Sequence, residues 1–183
     1  MNMDIYDINS QIIRKCMDGD MKAQFMLYRN FSTAMFNIAV RITGNKMDAE
    51  DVLQDSFVTA FEKLGELENP SSFPSWIKRI VINNSISLIR KRKLVFEDLD
   101  VNNGGIENPS PEIDEEIDPA IVHEAIKILP DGGRTILVLY ALEGYKHREI
   151  SGMLGISEST SKSQYSRALS LLHNHLKDKV YED

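Results

Sequence analysis

A short acidic segment divides the chain and constrains its fold more than any other feature. Residues 94–118 carry nine Asp and Glu and no Lys or Arg, and they include Gly104-Gly105, Pro109 and Pro111 without helical periodicity. This composition is typical of an extended, solvated linker. Because the stretches before and after it are each long enough for a small core, the sequence predicts two domains, 1–93 and 119–183, joined by an acidic linker, 94–118.

Composition narrows the class of protein further. Residues 1–93 carry 13 Lys/Arg and 11 Asp/Glu, and residues 119–183 carry 8 of each. The formal net charge of −7 therefore arises in the linker. Cys16 is the only cysteine, which excludes a disulfide framework. The longest uncharged run, 30–40, is far shorter than the about 20 apolar residues that cross a bilayer. The N-terminus also lacks the basic-then-apolar pattern of a signal peptide. We therefore expect a cytoplasmic protein without membrane insertion.

Both flanking stretches have helical periodicity, which predicts an all-α fold. Apolar residues at three- and four-residue steps predict a pair of helices over 8–43, a third over 48–64 and a fourth over 76–93, with a loop at 65–75. After the linker, Asp118-Pro119 forms a good N-cap and first turn, and helices are expected near 119–128 and 131–143.

The third predicted helix has an acidic first half. Leu53, Phe57 and Ala60 fall on one apolar stripe. Acidic side chains crowd the first two turns, where the helix dipole favours anions. An ordinary amphipathic core helix would also fit this pattern, so the segment alone does not identify a binding surface.

The fourth predicted helix has the opposite charge. Residues 76–93 contain six Lys and Arg and no acid. The spacing allows Ile77 and Val81 to face a core while the cations face outward. A basic face that is merely solvated is one interpretation; the other is a nucleic-acid surface, since Lys and Arg neutralise phosphates. Phe73 and Trp76 either belong to the core or stack on an unpaired base.

Residues 147–172 have the pattern of a helix-turn-helix. Ile150, Leu154 and Ile156 form the inner face, Gly155 suits the turn, and Ser157 suits the N-cap of the second helix. Short polar and basic side chains follow, as required for a DNA major groove. A helical hairpin without a DNA role is the alternative.

Residues that would support catalysis are not arranged for it. The four histidines, His123, His147, His173 and His175, do not stand at ligand spacing with carboxylates. The sequence contains neither a phosphate-binding glycine loop nor a recognisable nucleophile motif. We therefore expect no enzyme, no metal, no cofactor and no small-molecule substrate.

The acidic helix, the basic helix and the helix-turn-helix, in this order, resemble the extracytoplasmic-function (ECF) group of the sigma-70 family of bacterial RNA polymerase sigma factors. The resemblance covers residues 10–175. In that family the acidic helix docks on the clamp of the largest polymerase subunit. The basic helix and the loop before it recognise and melt the −10 promoter element, and the helix-turn-helix reads the −35 element. Ser161 stands where Val or Ile is usual, and Gln164 where ECF members often have Arg.

The resemblance implies three groups of site residues. The polymerase-binding group is Asp48, Glu50, Asp51, Gln54 and Asp55. The −10 group is Phe73, Trp76, Lys78, Arg79, Asn83, Asn84, Arg90, Lys91 and Arg92. The −35 group is Arg148, Ser157, Glu158, Ser159, Thr160, Lys162, Ser163, Gln164 and Arg167.

The implied partners are core RNA polymerase and promoter DNA, both double-stranded and locally melted, with an anti-sigma factor as a further partner that the resemblance allows. Two other classes of function stay open. One is a helix-turn-helix regulator that does not join polymerase, and the other is a polymerase-binding module without DNA binding. The acidic face of the third helix argues against the first, and the six cations of the fourth against the second.

Overall fold

The structure is a computed structural model that describes residues 5–91 and 119–180. Its described elements are all helical, and no strand occurs within these two ranges. This confirms the predicted all-α fold class. The predicted linker, 94–118, and the predicted DNA-binding residue Arg92 lie outside the described residues.

The described α-helices range from 7 to 23 residues in length, and we number them in chain order. Before the linker the chain forms α1 (Ile5–Met17), α2 (Met21–Thr43), α3 (Lys46–Glu62) and α4 (Phe73–Lys91), with 3-10 turns at Leu64–Glu66 and Pro70–Ser72 between the last two. After the linker it forms α5 (Pro119–Lys127), α6 (Asp131–Leu137), a π-helical segment (Val138–Leu142), α7 (His147–Leu154) and α8 (Glu158–Val180).

The described residues form two compact units. The first comprises those up to Val40 together with Lys46–Ser85, and the second comprises Arg41–Asn45 together with those from Ile86 onward. In the first unit, aromatic rings join the helices: Tyr28 of α2 meets Phe57 of α3 with centroids 4.8 Å apart. Fully buried aliphatic side chains, including Ile13, Leu27 and Ile77, complete this core.

Helix α4 begins at Phe73, three residues before the predicted start at Trp76. Pro74 therefore lies in the first turn of the helix, where a missing backbone N–H leaves no hydrogen bond unmade. The preceding 3-10 turn is capped by Asn69, whose Oδ1 accepts the backbone N–H of Ser71 at 3.0 Å. The predicted loop over 65–75 was wrong at this end, because Pro74 is accommodated in the first turn of the helix and does not break it.

Helix α8 is the central element of the second unit and packs against α5, α6 and α7. At Gly133 of α6, an added Cβ would lie 3.2 Å from the Cβ of Ala168 in α8. The two helices therefore cross closely, which the absence of a side chain at Gly133 permits. The predicted chain reversal at Gly155 is confirmed, since this residue ends α7 with a φ of +71°, in the left-handed region that favours glycine.

Candidate protein and nucleic-acid interfaces

The outer face of α3 is acidic. The inner face is buried and comprises Ala49, Val52, Leu53, Ser56, Phe57 and Ala60. Glu50, Asp51, Gln54 and Asp55 are exposed, whereas Asp48 is half-buried. Two apolar side chains are also exposed near the two ends of the outer face: Met47, with 75% of its surface accessible, and Val58, with 51%. The structure thus places four of the five predicted polymerase-binding residues on one solvent-facing surface.

The outer face of α4 is basic. Its inner face is formed by Ile77, Val81, Ile82, Ile86 and Ile89, which are all buried. Arg79, Asn83, Arg90 and Lys91 are exposed, and Lys78 is half-buried. Within the described part of α4 no acidic side chain interrupts this surface. The arrangement is one that can neutralise phosphates.

Three members of the predicted −10 group have structural contacts, and one of them, Arg90, donates from Nη2 to the backbone oxygen of Met153 at 2.7 Å. Phe73 is completely buried, with its ring edge-on to Phe31 at a centroid distance of 5.3 Å. Such a ring has no face available for an unpaired base. Asn84 donates from Nδ2 to Oγ of Ser56 at 3.0 Å and so links α4 to α3. The half-buried Trp76, 6.0 Å from Phe73, keeps part of its ring accessible.

The first turns of α8 present the polar surface that the helix-turn-helix pattern predicts. Ser157 caps the helix, since its Oγ accepts the backbone N–H of Thr160 at 3.0 Å. Glu158 and Lys162 form an ion pair at 2.7 Å, and this lysine lowers the pKa of the Glu158 carboxyl. The exposed members of the predicted −35 group are Arg148, Ser157, Glu158, Ser159, Lys162 and Ser163, and Thr160 and Arg167 are half-buried.

Gln164 lies on the inner side of α8. It is only 4% exposed, and its backbone oxygen is near Gly133 of α6. A side chain held in this core does not reach base edges. The structure therefore assigns Gln164 to helix packing, in contrast to its place in the predicted −35 group.

A polar cluster on the inner side of the helix-turn-helix was not predicted from the sequence. His147 Nδ1 lies 2.9 Å from Oγ of Ser161. The imidazole stacks on Tyr140 of the π-helical segment, with centroids 4.3 Å apart and planes 14° apart, and meets Tyr165 edge-on at 5.6 Å. The available signal was Ser161 itself, a polar residue at an inner position of the motif.

The environment of His147 favours the neutral form of its imidazole. Burial lowers its pKa from 6.5, and Lys162 lowers it further, while Glu158 opposes the shift. Burial also raises the pKa of the neighbouring Tyr165. A neutral imidazole has one ring nitrogen that can accept a hydrogen bond from a hydroxyl.

Neither a membrane-spanning helix nor a group of metal-binding side chains occurs among the residues that the structure describes. No helix among them is long and apolar enough to span a membrane. Within residues 5–91 and 119–180 there is also no group of three or more His, Cys, Asp or Glu residues that could hold a metal ion.

Known protein families match both halves of the chain. The family described as Sigma-70 region 2 matches residues 27–95, and the family described as Sigma-70, region 4 matches residues 120–172. The first contains α3 and α4, and the second contains the helix-turn-helix.

Individual relatives agree with these matches. The chain is 30% identical over 146 residues to a probable RNA polymerase sigma factor, RfaY, of Xanthomonas campestris, covering 76% of this chain and 36% of the relative. It is 30% identical over 156 residues to the ECF RNA polymerase sigma factor SigE of Mycolicibacterium smegmatis, covering 82% and 60%. The chain thus spans less than two thirds of the length of these two relatives.

A solved structure has the same fold. The sigma factor RpoE of Bartonella quintana, crystallised in complex with the anti-sigma factor NepR, superposes with a TM-score of 0.54 and 25% identity, covering 82% of this chain and 94% of that one. Together with the two family matches and the named relatives, this shows that the chain belongs to the ECF group of the sigma-70 family of RNA polymerase sigma factors.

Proposed function

We propose that the protein is a sigma factor that joins core RNA polymerase, directs it to promoters and helps to open the duplex near the start site. It makes no covalent bond in this role and acts by binding alone. Because polymerase and the chromosome are its partners, its place of action is the cytoplasm.

The proposal assigns one task to each part of the chain. Residues 1–93 dock on polymerase and recognise and melt the −10 element, residues 119–183 read the −35 element, and residues 94–118 connect them. The −10 surface comprises Trp76, Lys78, Arg79, Asn83, Arg90, Lys91 and Arg92, with Asn84 holding α4 against α3. The −35 surface comprises Arg148, Ser157, Glu158, Ser159, Thr160, Lys162, Ser163 and Arg167.

The observation that carries the proposal is the exposed acidic face of α3. Asp51, Gln54 and Asp55 are exposed, and the part of the basic helix α4 that ends at Ser85, with Lys78 and Arg79, belongs to the same unit. A regulator that bound DNA without joining polymerase would gain nothing from an acidic surface close to its own DNA-binding cations, because the acids would repel phosphate. A basic protein surface is the partner that such a face fits.

Charge reversal on this face tests polymerase docking. We expect Asp51→Lys and Asp55→Lys each to weaken capture of core polymerase by at least about tenfold, because like charges at an interface cost several kcal/mol. Both side chains are exposed, so the thermal unfolding midpoint should stay close to that of the wild type. Pull-down of core polymerase and run-off transcription with mapped start sites provide the measurements.

A matched control separates a local effect from a change of net charge. Asp18 follows α1 and is also exposed, so Asp18→Lys changes the net charge by the same amount at another place. We expect this variant to bind polymerase as the wild type does. Wild-type capture by both α3 variants would contradict the assignment of α3 to polymerase.

An anti-sigma factor is the third proposed partner. The proposal rests on the similar solved structure, in which the sigma factor RpoE is bound to NepR. Such a partner would prevent initiation by occupying surfaces that polymerase or DNA requires. Competition between the partner and core polymerase for the purified chain would test it.

A further inference from the structure

The inner face of the helix-turn-helix contains a buried hydroxyl. Ser161 is 0% exposed, and Ile150, Leu154 and Ala168 of the same motif and helix are buried as well. A buried hydroxyl is costly unless it forms a hydrogen bond. The fully buried serines Ser56 and Ser85 satisfy this need within their own helices, by donating to the backbone oxygens of Val52 and Val81.

The Ser161 hydroxyl instead contacts a different helix. It lies 2.9 Å from Nδ1 of His147, the first residue of α7. Either group can donate, depending on which ring nitrogen carries the proton. This hydrogen bond connects the start of the first helix of the motif with the second turn of α8, where the exposed polar residues stand.

The imidazole that makes this contact is itself held in place. Tyr140 stacks on one face and Tyr165 meets the ring edge-on, and these two tyrosines contact each other with centroids 4.7 Å apart. The ring thus links α7 to the π-helical segment and to α8. The charged groups near it are Lys162 and Glu158, which pair with each other on α8.

A small rotation of α8 at Ser161 would have a large effect on the exposed side chains of the same turn. Ser161 stands between the half-buried Thr160 and the exposed Lys162. A rotation of α8 by about 20° would displace side-chain atoms at a radius of about 5 Å by nearly 2 Å. Hydrogen bonds to base edges do not survive displacements of that size.

We propose that His147 is a positioning residue for promoter reading, which fixes through Ser161 the rotation of α8 at which Glu158, Ser159 and Lys162 meet the major groove. This inference rests on the proposed function and deepens it. His147 itself does not contact DNA in this role. The usual apolar residue at the position of Ser161 would fill the same space without specifying one rotation.

The test measures discrimination by the full chain with core polymerase. Run-off transcription with the wild type first identifies a promoter. Each variant is then assayed on that promoter and on a copy with a scrambled upstream element, and the ratio of the two rates is compared. We expect His147→Phe and Ser161→Ala each to lower this ratio by about three- to tenfold, the value of one net hydrogen bond.

Two further variants separate the hydrogen bond from the aromatic stack. His147→Asn retains a hydrogen-bonding atom near the position of Nδ1 but loses the ring, and we expect it to retain more discrimination than His147→Phe. The double variant that combines His147→Phe with Ser161→Ala should lose no more discrimination than the more affected single variant, because both substitutions remove the same hydrogen bond. Ser170→Ala is the control, since its hydroxyl donates only to the backbone oxygen of Ser166 in its own helix.

The outcomes distinguish this inference from the proposed function. All assays are run below the unfolding temperature of every variant. An unchanged ratio in His147→Phe and Ser161→Ala, with lower rates on both templates, would show a purely structural role and overturn the inference alone. Failure of the wild type to initiate at any promoter would overturn the proposed function, and this inference with it.

Discussion

At the scale of single residues, we expect His147 to make the stability of the protein depend on pH. Burial lowers its pKa in the folded state below the ordinary value of 6.5. The unfolded chain therefore binds the proton more readily, and the contribution of His147 is complete above pH 6.5 and is lost as the pH falls through the folded-state pKa. When the pH is lowered from about 7.5 to about 5.5, the thermal unfolding midpoint of the wild type should fall by more than that of His147→Phe.

The other histidines provide an internal control for this measurement. His123, His173 and His175 are present in both proteins, so the difference between the two pH profiles isolates His147. Parallel profiles for wild type and variant would contradict the prediction.

Phe73 and Trp76 should respond differently to truncation. The ring of Phe73 is completely buried, so we expect Phe73→Ala to reduce the free energy of unfolding by about 3–5 kcal/mol. Trp76 is half-buried, and Trp76→Ala should cost less stability. It should impair initiation on a duplex promoter more than on a pre-melted one, because the accessible part of the ring can support an unpaired strand. Chemical denaturation and transcription from both templates check this, and equal losses on the two templates would favour a purely structural ring.

Single residues were predictable from the sequence where local chemistry decides their role. Ser157 as N-cap and Gly155 in the left-handed turn follow from the backbone groups that each must satisfy or permit. Burial of Phe73 and Gln164 was not predictable, because it depends on Phe31 and Gly133, which come from distant parts of the chain. The hydrogen bond between His147 and Ser161 was likewise not predictable, because it joins two different helices.

At the scale of helices, the crossing of α6 over α8 depends on Gly133. An added side chain would come within 3.2 Å of Ala168, closer than most Cβ contacts. We expect Gly133→Val to separate the helices and to reduce the free energy of unfolding by about 1–3 kcal/mol. Gly152 of α7 is a matched control, since an added Cβ there would meet nothing within 4 Å. Denaturant titration of the two variants measures the difference, and equal midpoints would disprove the close crossing.

The helices themselves were predictable from periodicity, but the faces that they bury were less so. The inner residues of α3, such as Leu53 and Phe57, follow the apolar stripe. In α2, however, Phe25 and Met26 are exposed although their side chains are apolar. A long helix that contacts neighbours along only part of its circumference leaves such residues outside, and the sequence does not reveal where the neighbours lie.

At the scale of the whole molecule, the acidic segment 94–118 is tethered between two stretches that carry basic residues. Tethered acids compete with DNA phosphates for those cations. We therefore expect joint neutralisation of Asp114, Glu115, Glu116 and Asp118 to strengthen DNA binding by the free protein, most clearly at low salt, where the Debye length is long. Gel-shift titrations at two salt concentrations measure this effect.

Activity with polymerase provides the complementary measurement. The same neutralised variant should initiate less well if the segment is held by a basic channel of the enzyme. A variant that binds promoter DNA no better than the wild type at low salt would show that the segment is only a spacer.

The hydrogen bond from Asn84 to Ser56 has a thermodynamic consequence for the two surfaces of the first unit. It joins the helix with the acidic face to the helix with the basic face. Under the proposed function α3 binds polymerase and α4 binds the promoter, so a displacement of α3 that alters this hydrogen bond would couple the two binding events. Linkage is reciprocal. By whatever factor polymerase increases the affinity of α4 for a promoter, the promoter increases the affinity of α3 for polymerase.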